Sequence, residues 1–396
     1  MTVGINATAA VKQPRTGVEE YTYQLIKYLT MLPEAREHRF FLYLPSVYSS
    51  SEAKRVEKFS TGSNNKSFFD FPLPENFEIK ILKWSLPFLW TQIRLAWEML
   101  RRPPEILFIP VHILPIFHPK NSYVTIHGLE YEYFPKYYPL LHRLYLRFST
   151  KYALKHARKI IAISENTKED LVNLYNGDSN KIEVVYHGIN SQCHSRESGN
   201  LDSGSRIKCG MTEINKPYLL YLGRIEQKKN IGGILKAYKI LQEKYRLPHK
   251  LVLAGSPGYG YDNLKLKIKN YLEIRNLKLE IKEIGYIDED SKWQLLNGAD
   301  VFLFPSFYEG FGLPVLEAQT AGVPVVTSFN SSLPEIAGEG ALLVNPKNPE
   351  QIAEAVKSII DDKNLRAKLI KSGYENVKRF SWEKCARETL HIVDQS

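Results

Sequence analysis

Two cations and two carboxylates stand at spacings suited to a phosphorylated sugar. Arg224 and Lys229 lie five positions apart in Gly223-Arg-Ile-Glu-Gln-Lys-Lys-Asn, directly after the apolar run Tyr218-Leu-Leu-Tyr-Leu and ahead of a helical pattern. A strand end delivers Arg224, while the following helix N-terminus adds its dipole and unpaired N–H groups for an anion. Two cations with backbone donors suit a diphosphate better than a single phosphate; the plain alternative is a solvated helix start. Glu309 and Glu317 both fall in Pro305-Ser-Phe-Tyr-Glu-Gly-Phe-Gly-Leu-Pro-Val-Leu-Glu-Ala. Glu309 sits in a loop beside Gly310, Pro314 marks the first helical turn, and Glu317 follows about one turn inside. Carboxylates accept paired hydrogen bonds from vicinal hydroxyls, so this pair can read a sugar and a ribose, while the amides near Phe311, Gly312 and Leu313 point at whatever meets the helix N-terminus. Glu317 could instead serve only to stabilise that terminus. His127 ends Tyr123-Val-Thr-Ile-His before Gly128, a strand-end position open to a functional or a structural imidazole.

The elements that position these residues form two alternating series. Buried-strand runs at Val3–Ala7, Phe40–Leu44, Glu105–Ile109, Tyr123–His127, Lys159–Ile163 and Ile182–Tyr186 alternate with helical patterns, among them Tyr21–Leu29, Thr91–Arg101 and Leu140–His156. Gly17 is expected in the turn before the first of these helices. A second series runs from Tyr218 through strands at Lys250–Ala254, Glu280–Ile284, Val301–Pro305 and Pro324–Thr327, separated by helical patterns at Ile231–Lys244, Asn263–Arg275, Ser291–Gly298, Pro314–Ala321, Pro349–Asp361 and Leu365–Phe380. Such alternation predicts α/β architecture, with parallel sheets covered on both faces. Ligands of such sheets bind beyond the carboxyl ends of the strands, so two facing halves would hold a ligand in a central cleft. Between the series, Ser191–Met211 is rich in Ser and Gly with almost no apolar content. It reads as a flexible linker or insertion.

With 396 residues, 43% of them apolar and 24% charged, the chain is long enough for two domains and near globular averages. The expected division is residues 1–190, the linker 191–211, and residues 212–380. No apolar run approaches a membrane span, and the first residues lack the basic and apolar regions of a signal peptide, which points to the cytosol. The three cysteines have no metal-ligand spacing and suit a reducing compartment. A net charge of +10 favours anionic partners without choosing among them. No Walker loop is present, and Gly255-Ser-Pro-Gly-Tyr-Gly has the wrong glycine order for a dinucleotide fingerprint. Asp288-Glu-Asp290 could suggest a metal-bound diphosphate but better suits a helix cap near Ser291; with Arg224 and Lys229 available, no metal is required. The aromatic stretch Trp84, Phe88, Trp90, Trp97 and the stripe Arg143, Arg147, Lys151, Lys155 could dock at an anionic membrane. Core packing and a solvated face are the simpler readings.

Arg224 with Lys229, followed by Glu309 and Glu317 in the Glu-Gly-Phe-Gly-Leu-Pro setting, resembles the signature of retaining nucleotide-sugar glycosyltransferases of family 4, which have the GT-B fold of two Rossmann-like domains. The resemblance covers the chain from Val3 to the C-terminal helix except for Ser191–Met211. It implies that Arg224 and Lys229 bind the donor diphosphate and stabilise the departing nucleotide, that Glu317 holds the ribose hydroxyls, and that Glu309 contacts the transferred sugar. The backbone of Gly310, Phe311, Gly312 and Leu313 would help hold the donor, and His127 would face the sugar. Gly17, in Arg15-Thr-Gly-Val, matches the glycine loop that approaches the donor phosphate, although Thr16 stands where many relatives have a second glycine. Tyr186-His-Gly-Ile-Asn resembles the segment where the chain crosses between domains, with Asn190 in place of the more usual aspartate.

The same resemblance implies that the first domain binds acceptor, that the second binds nucleotide sugar, and that the C-terminal helix, about residues 381–396, returns to the first. Thr16-Gly-Val-Glu-Glu-Tyr-Thr-Tyr-Gln-Leu is similar to bacterial mannosyltransferase-like enzymes that build surface polysaccharides, which implies a hexose donor, with a lean to GDP-mannose, and a glycan or lipid-linked glycan acceptor. No cofactor is expected, because the nucleotide sugar is itself a substrate, and no nucleic acid partner is expected. Peripheral contact with the inner face of the cell membrane is compatible with this reading. A nucleotide-sugar epimerase on the same fold and a non-catalytic binding relative are the competing classes; retention of both carboxylates and both cations argues against the latter.

Overall fold

The computed structural model describes residues 1–46, 68–84, 89–190, 206–209, 212–215, 217–273 and 279–395. They divide into two compact units, Met1–Gly188 with Ser381–Ser396, and Ile189–Phe380.

The first unit is built on β1 (Thr2–Asn6), β2 (Arg39–Pro45), β3 (Phe77–Leu82), β4 (Ile106–Ile109), β5 (Ser122–Ile126), β6 (Lys159–Ala162) and β7 (Ile182–Val184). They pair in parallel in the order β3-β2-β1-β4-β5-β6-β7. Every residue of β4 and β5 is buried, as expected of strands covered by helices on both faces. Helix α1 (Gly17–Leu29) and the C-terminal helix Trp382–Asp394 belong to one side of this sheet, where Tyr21, Leu25 and Ile26 share a core with Trp382, Cys385 and Leu390. Gly17 is therefore the first residue of a helix and not part of the preceding turn. Its entry is fixed by a capping box between Thr16 and Glu19, which satisfies first-turn amides that the helix itself cannot.

The second unit holds a parallel sheet of β10 (Tyr218–Leu222), β11 (Lys250–Ala254), β12 (Ile281–Gly285), β13 (Val301–Phe304), β14 (Val325–Ser328) and β15 (Ala341–Val344), ordered β12-β11-β10-β13-β14-β15. The strand order reverses between β10 and β13, which are direct neighbours with Leu219 opposite Val301. The loops after these two strands carry Arg224 with Lys229 and Glu309, so the topology alone sets the charged groups at the carboxyl edge of the switch point.

Three features go beyond the expectations. The segment 191–211 lies outside the described residues except for 206–209, and these form β8 (Arg206–Cys209), paired antiparallel with β9 (Thr212–Asn215), so the segment is not wholly without regular structure. The helical pattern at 91–101 is a π-helical turn, Trp90–Leu95, continued by the α-helix Ala96–Arg101. Strands β3 and β15 were not anticipated.

Candidate functional site

In the second unit the chain leaves β10 at Gly223, whose φ of +142° is open to glycine far more readily than to other residues. The same loop is buttressed from β11: Ile225 N donates to Ser256 O at 2.9 Å and Gly258 N donates to Ile225 O at 3.0 Å. A Cβ on Gly255 would lie 1.9 Å from Gly223 O, and one on Gly258 would lie 2.7 Å from the Arg224 side chain. The Gly255-Ser-Pro-Gly sequence thus serves close backbone approach and seats Arg224; spacing alone did not reveal this. Tyr221, fully buried on β10, donates its hydroxyl to Arg224 O at 2.7 Å. Burial, followed by the charges of Glu309 and Glu226, raises that hydroxyl well above its ordinary pKa, so it stays a donor. The Arg224 guanidinium is exposed and forms no ion pair among the described residues.

Lys229 and Glu309, 80 positions apart, meet as an ion pair with Nζ 2.6 Å from both carboxylate oxygens. Both side chains are largely buried, at 14% and 9% exposure, where pairing is needed to keep charge out of water. Asn230 anchors the lysine from behind. Its Oδ1 caps α2 (Ile231–Tyr245) by accepting from Gly233 N, and its Nδ2 donates to Pro305 O at 3.1 Å and to Pro346 O at 2.5 Å. The Glu309 loop is held from β14 and the residues after it: Ser331 Oγ accepts from Glu309 N at 3.0 Å, and Ser332 Oγ donates to Phe311 O at 2.6 Å. Gly312, at φ +115°, then opens α4 (Leu313–Thr320), with Pro314 in its first turn. Gly310, Phe311 and Gly312 are buried; in the first turn of α4 Pro314 has no N–H and Val315 N donates to Gly312 O at 2.9 Å, which leaves the Leu313 amide as the donor the helix itself does not use.

Glu317, on α4, takes a different partner. Lys292, on α3 (Glu289–Gly298), places Nζ 2.7 Å from Glu317 Oε1 and 2.6 Å from Glu289 Oε1. Burial opposes the charge on Lys292, but Glu317 and then Glu289 outweigh it and raise the ammonium above its ordinary pKa. Asp288 caps α3 by accepting from Ser291 N at 2.9 Å, which engages it as a cap. Among the described residues no three His, Cys, Asp or Glu side chains cluster in a way that could hold a metal ion.

The other two sequence candidates, Gly17 and His127, belong to the first unit. Gly17 opens α1, and a Cβ there would meet nothing within 4 Å. One turn later the Tyr21 ring lies edge-on to His127 at 4.8 Å and stacks on His187 at 4.7 Å. His127 Nε2 is 2.7 Å from Pro110 O, so it carries the proton and donates; Nδ1 is left as a buried lone pair with no protein partner among the described residues. Burial, then neighbouring His112, depresses the His127 pKa to about 3, and the ring is neutral at physiological pH. His187, Tyr21 and His112 were not singled out as site residues, since an imidazole set 60 positions from His127 gives no local signal.

On the outer face, Trp90 is buried and Trp97 is half exposed, while Phe88 lies outside the described residues. In the helix Leu140–His156, Arg147 makes a two-pronged ion pair with Glu132 at 2.6–2.7 Å. Leu140, Leu141, Leu144 and Phe148 stand exposed along the same helix, at 50–81%. Among the described residues no helix is long and apolar enough to cross a membrane.

Two family descriptions match the chain: glycosyltransferase family 4 over residues 15–192 and glycosyl transferases group 1 over residues 212–376. The interval between them coincides with the Ser- and Gly-rich segment. The chain is 28% identical to the O-antigen chain mannosyltransferase B of Escherichia coli, over 98% of each chain. It is 25% identical to an O-antigen chain mannosyltransferase of Salmonella typhimurium, over 71% of each. The fold matches sucrose-phosphate synthase of Thermosynechococcus elongatus with a TM-score of 0.71 and 19% identity, over 100% of this chain and 98% of that one. The two Rossmann-like parallel-sheet units are those of the GT-B fold.

Proposed function

This chain belongs to the family 4 glycosyltransferases, with a group 1 second domain, and from that premise we propose that it moves a hexose, mannose, from GDP-mannose to a glycan or lipid-linked glycan acceptor in bacterial surface polysaccharide synthesis, with retention of anomeric configuration and without a metal ion. The observation that carries the reading is the Lys229–Glu309 pair at the carboxyl edge of the β10–β13 switch point. The pair is neutral as a whole, so the net positive charge offered to a diphosphate comes from Arg224, which has no ion-pair partner among the described residues, reinforced by the third N–H of Lys229 and the Leu313 amide at the start of α4. Glu309 orients the lysine and faces the transferred sugar, and Glu317 accepts from the ribose. We assign no side chain the role of covalent nucleophile. The acceptor hydroxyl therefore attacks beside the leaving diphosphate, whose oxygen takes the proton, and the protein's main task is to stabilise charge that grows on that diphosphate. The mannose assignment is supported by the two O-antigen chain mannosyltransferases among the relatives.

A panel of nucleotide sugars tests the donor: GDP-mannose alone should raise the unfolding temperature strongly, and NMR of the product should show the donor's anomeric configuration. Chelator should leave most of the activity, because side chains and amides meet the diphosphate charge. Inverted product, or inactivation that only a divalent ion reverses, would overturn the retaining and metal-free parts of the reading.

The acceptor side is proposed to work at an anionic bilayer. Exposed Leu141, Leu144 and Phe148, with Ile116 and Phe117 joined to the same helix through the Tyr152 hydroxyl on Ile116 O at 2.8 Å, form an apolar face flanked by exposed Lys151 and Lys155. Apolar insertion together with about 1 kcal/mol per cation near an anionic surface suits reversible attachment. The protein should float with phosphatidylglycerol vesicles and not with phosphatidylcholine vesicles, and Leu144→Glu/Phe148→Glu should abolish flotation. Equal flotation of wild type and variant, or dimerisation through this face without lipid binding, would refute it.

A further inference from the structure

We infer that Lys292 is a positioning residue for nucleotide recognition: it clamps one oxygen of Glu317 and leaves the other to accept from a donor ribose. The inference rests on the reading of Glu317 as the ribose carboxylate. Lys292 lies on α3, away from the motifs that carry the diphosphate and sugar contacts, and no part of the proposed reaction yet uses it. Its side chain is only 17% exposed, and its Nζ joins Glu317 Oε1 at 2.7 Å to Glu289 Oε1 at 2.6 Å. Glu289 is fixed in turn by the indole of buried Trp293, whose Nε1 donates to Glu289 Oε1 at 3.1 Å. A relay thus runs from a core tryptophan through a carboxylate and an ammonium to Glu317.

The consequence is geometric. A glutamate on a helix has three rotatable side-chain bonds, and freezing them at the moment of binding would weaken a hydroxyl contact. With Oε1 held by Lys292, Oε2 has no protein partner among the described residues and keeps both lone pairs for vicinal hydroxyls.

Calorimetric binding of GDP and 2′-deoxy-GDP, with UDP and its 2′-deoxy form as a second pair, separates the possibilities. Wild type should prefer the ribonucleotide by roughly tenfold to a hundredfold, as for a hydrogen bond to a charged group. Glu317→Gln should lose most of that preference. Lys292→Met should lose it too, with raised donor KM and kcat retained at saturation, while Lys292→Arg restores it and Lys292→Met/Glu317→Gln is no worse than Glu317→Gln alone. Glu289→Gln, at the exposed end of the relay, should give a partial loss in the same direction and guards against a folding defect in Lys292→Met. If neither nucleotide pair is discriminated by wild type, or Glu317→Gln keeps the preference, the ribose reading of Glu317 fails. If Glu317→Gln loses the preference while Lys292→Met and Glu289→Gln keep it in full, the role of Lys292 alone is overturned.

Discussion

Lys229→Ala is expected to lower kcat by roughly 30-fold to 1,000-fold, equivalent to about 2–4 kcal/mol of lost transition-state stabilisation, with a much smaller change in donor KM. The asymmetry follows from when the charge appears. A diphosphate ester gains negative charge on its bridging oxygen only as the glycosidic bond breaks, so an ammonium aimed there acts mainly on the transition state. The substitution also leaves Glu309, 9% exposed at its side chain, without its cation, and breaking one half of a buried pair costs about 3–5 kcal/mol of stability. Lys229→Met/Glu309→Gln separates the two effects, because it removes the unpaired charge and should regain much of the unfolding temperature without regaining turnover. Steady-state kinetics over a range of donor concentrations, alongside thermal unfolding, reads both. Normal turnover of Lys229→Ala at saturating donor would refute the leaving-group clamp.

The chemistry of the second unit was legible because its motifs are local. Two glycines, a proline and two glutamates within the span 309–317 fix a loop and a helix start with no knowledge of the rest of the chain. The Lys229–Glu309 pair was not legible, since it joins loops after two strands that become neighbours only through the sheet order. Lys292 was hidden for the same reason: on its own helix it reads as an ordinary salt-bridging lysine three positions after Glu289. Strand β3 escaped notice because it alternates Glu78 and Lys80 with Ile79 and Ile81 at an edge of the sheet, with Ile81 exposed, whereas the expectation was built on continuous apolar runs. The Trp90–Arg101 stretch has helical spacing, but the period of 3.6 does not separate a π turn from an α turn over so short a run. In the first unit, His127 was found by its place at a strand end, while its neighbour His187 could be recognised only when Tyr21 stacked between them.

The second large effect is expected where the chain leaves the first unit and returns to it. Gly188 and Ser381 are the border residues of that unit, and a Cβ built on Gly188 would lie 2.1 Å from Trp382 N and 2.5 Å from Trp382 Cα. These are backbone atoms in the first turn of the C-terminal helix, whose start is fixed by Ser381 capping Lys384 N. Trp382 itself is 2% exposed, with its ring 5.7 Å from His187 and 6.4 Å from Tyr21. No rotamer change can relieve a clash with a main chain, so Gly188→Ala must displace the helix or the 186–188 segment, and with it the stack that places His187 and Tyr21 beside His127. Overpacking usually costs about 1–3 kcal/mol, and contacts this short with backbone put Gly188→Ala at the upper end, a fall of roughly 6–12 °C in the unfolding temperature for a unit of this size. Trp382→Ala should not rescue it, because the obstructing N and Cα remain. Calorimetry of Gly188→Ala and of Gly188→Ala/Trp382→Ala decides the point: a single variant that melts with the wild type, or a double variant more stable than Trp382→Ala alone, would show that the glycine is not required by this contact.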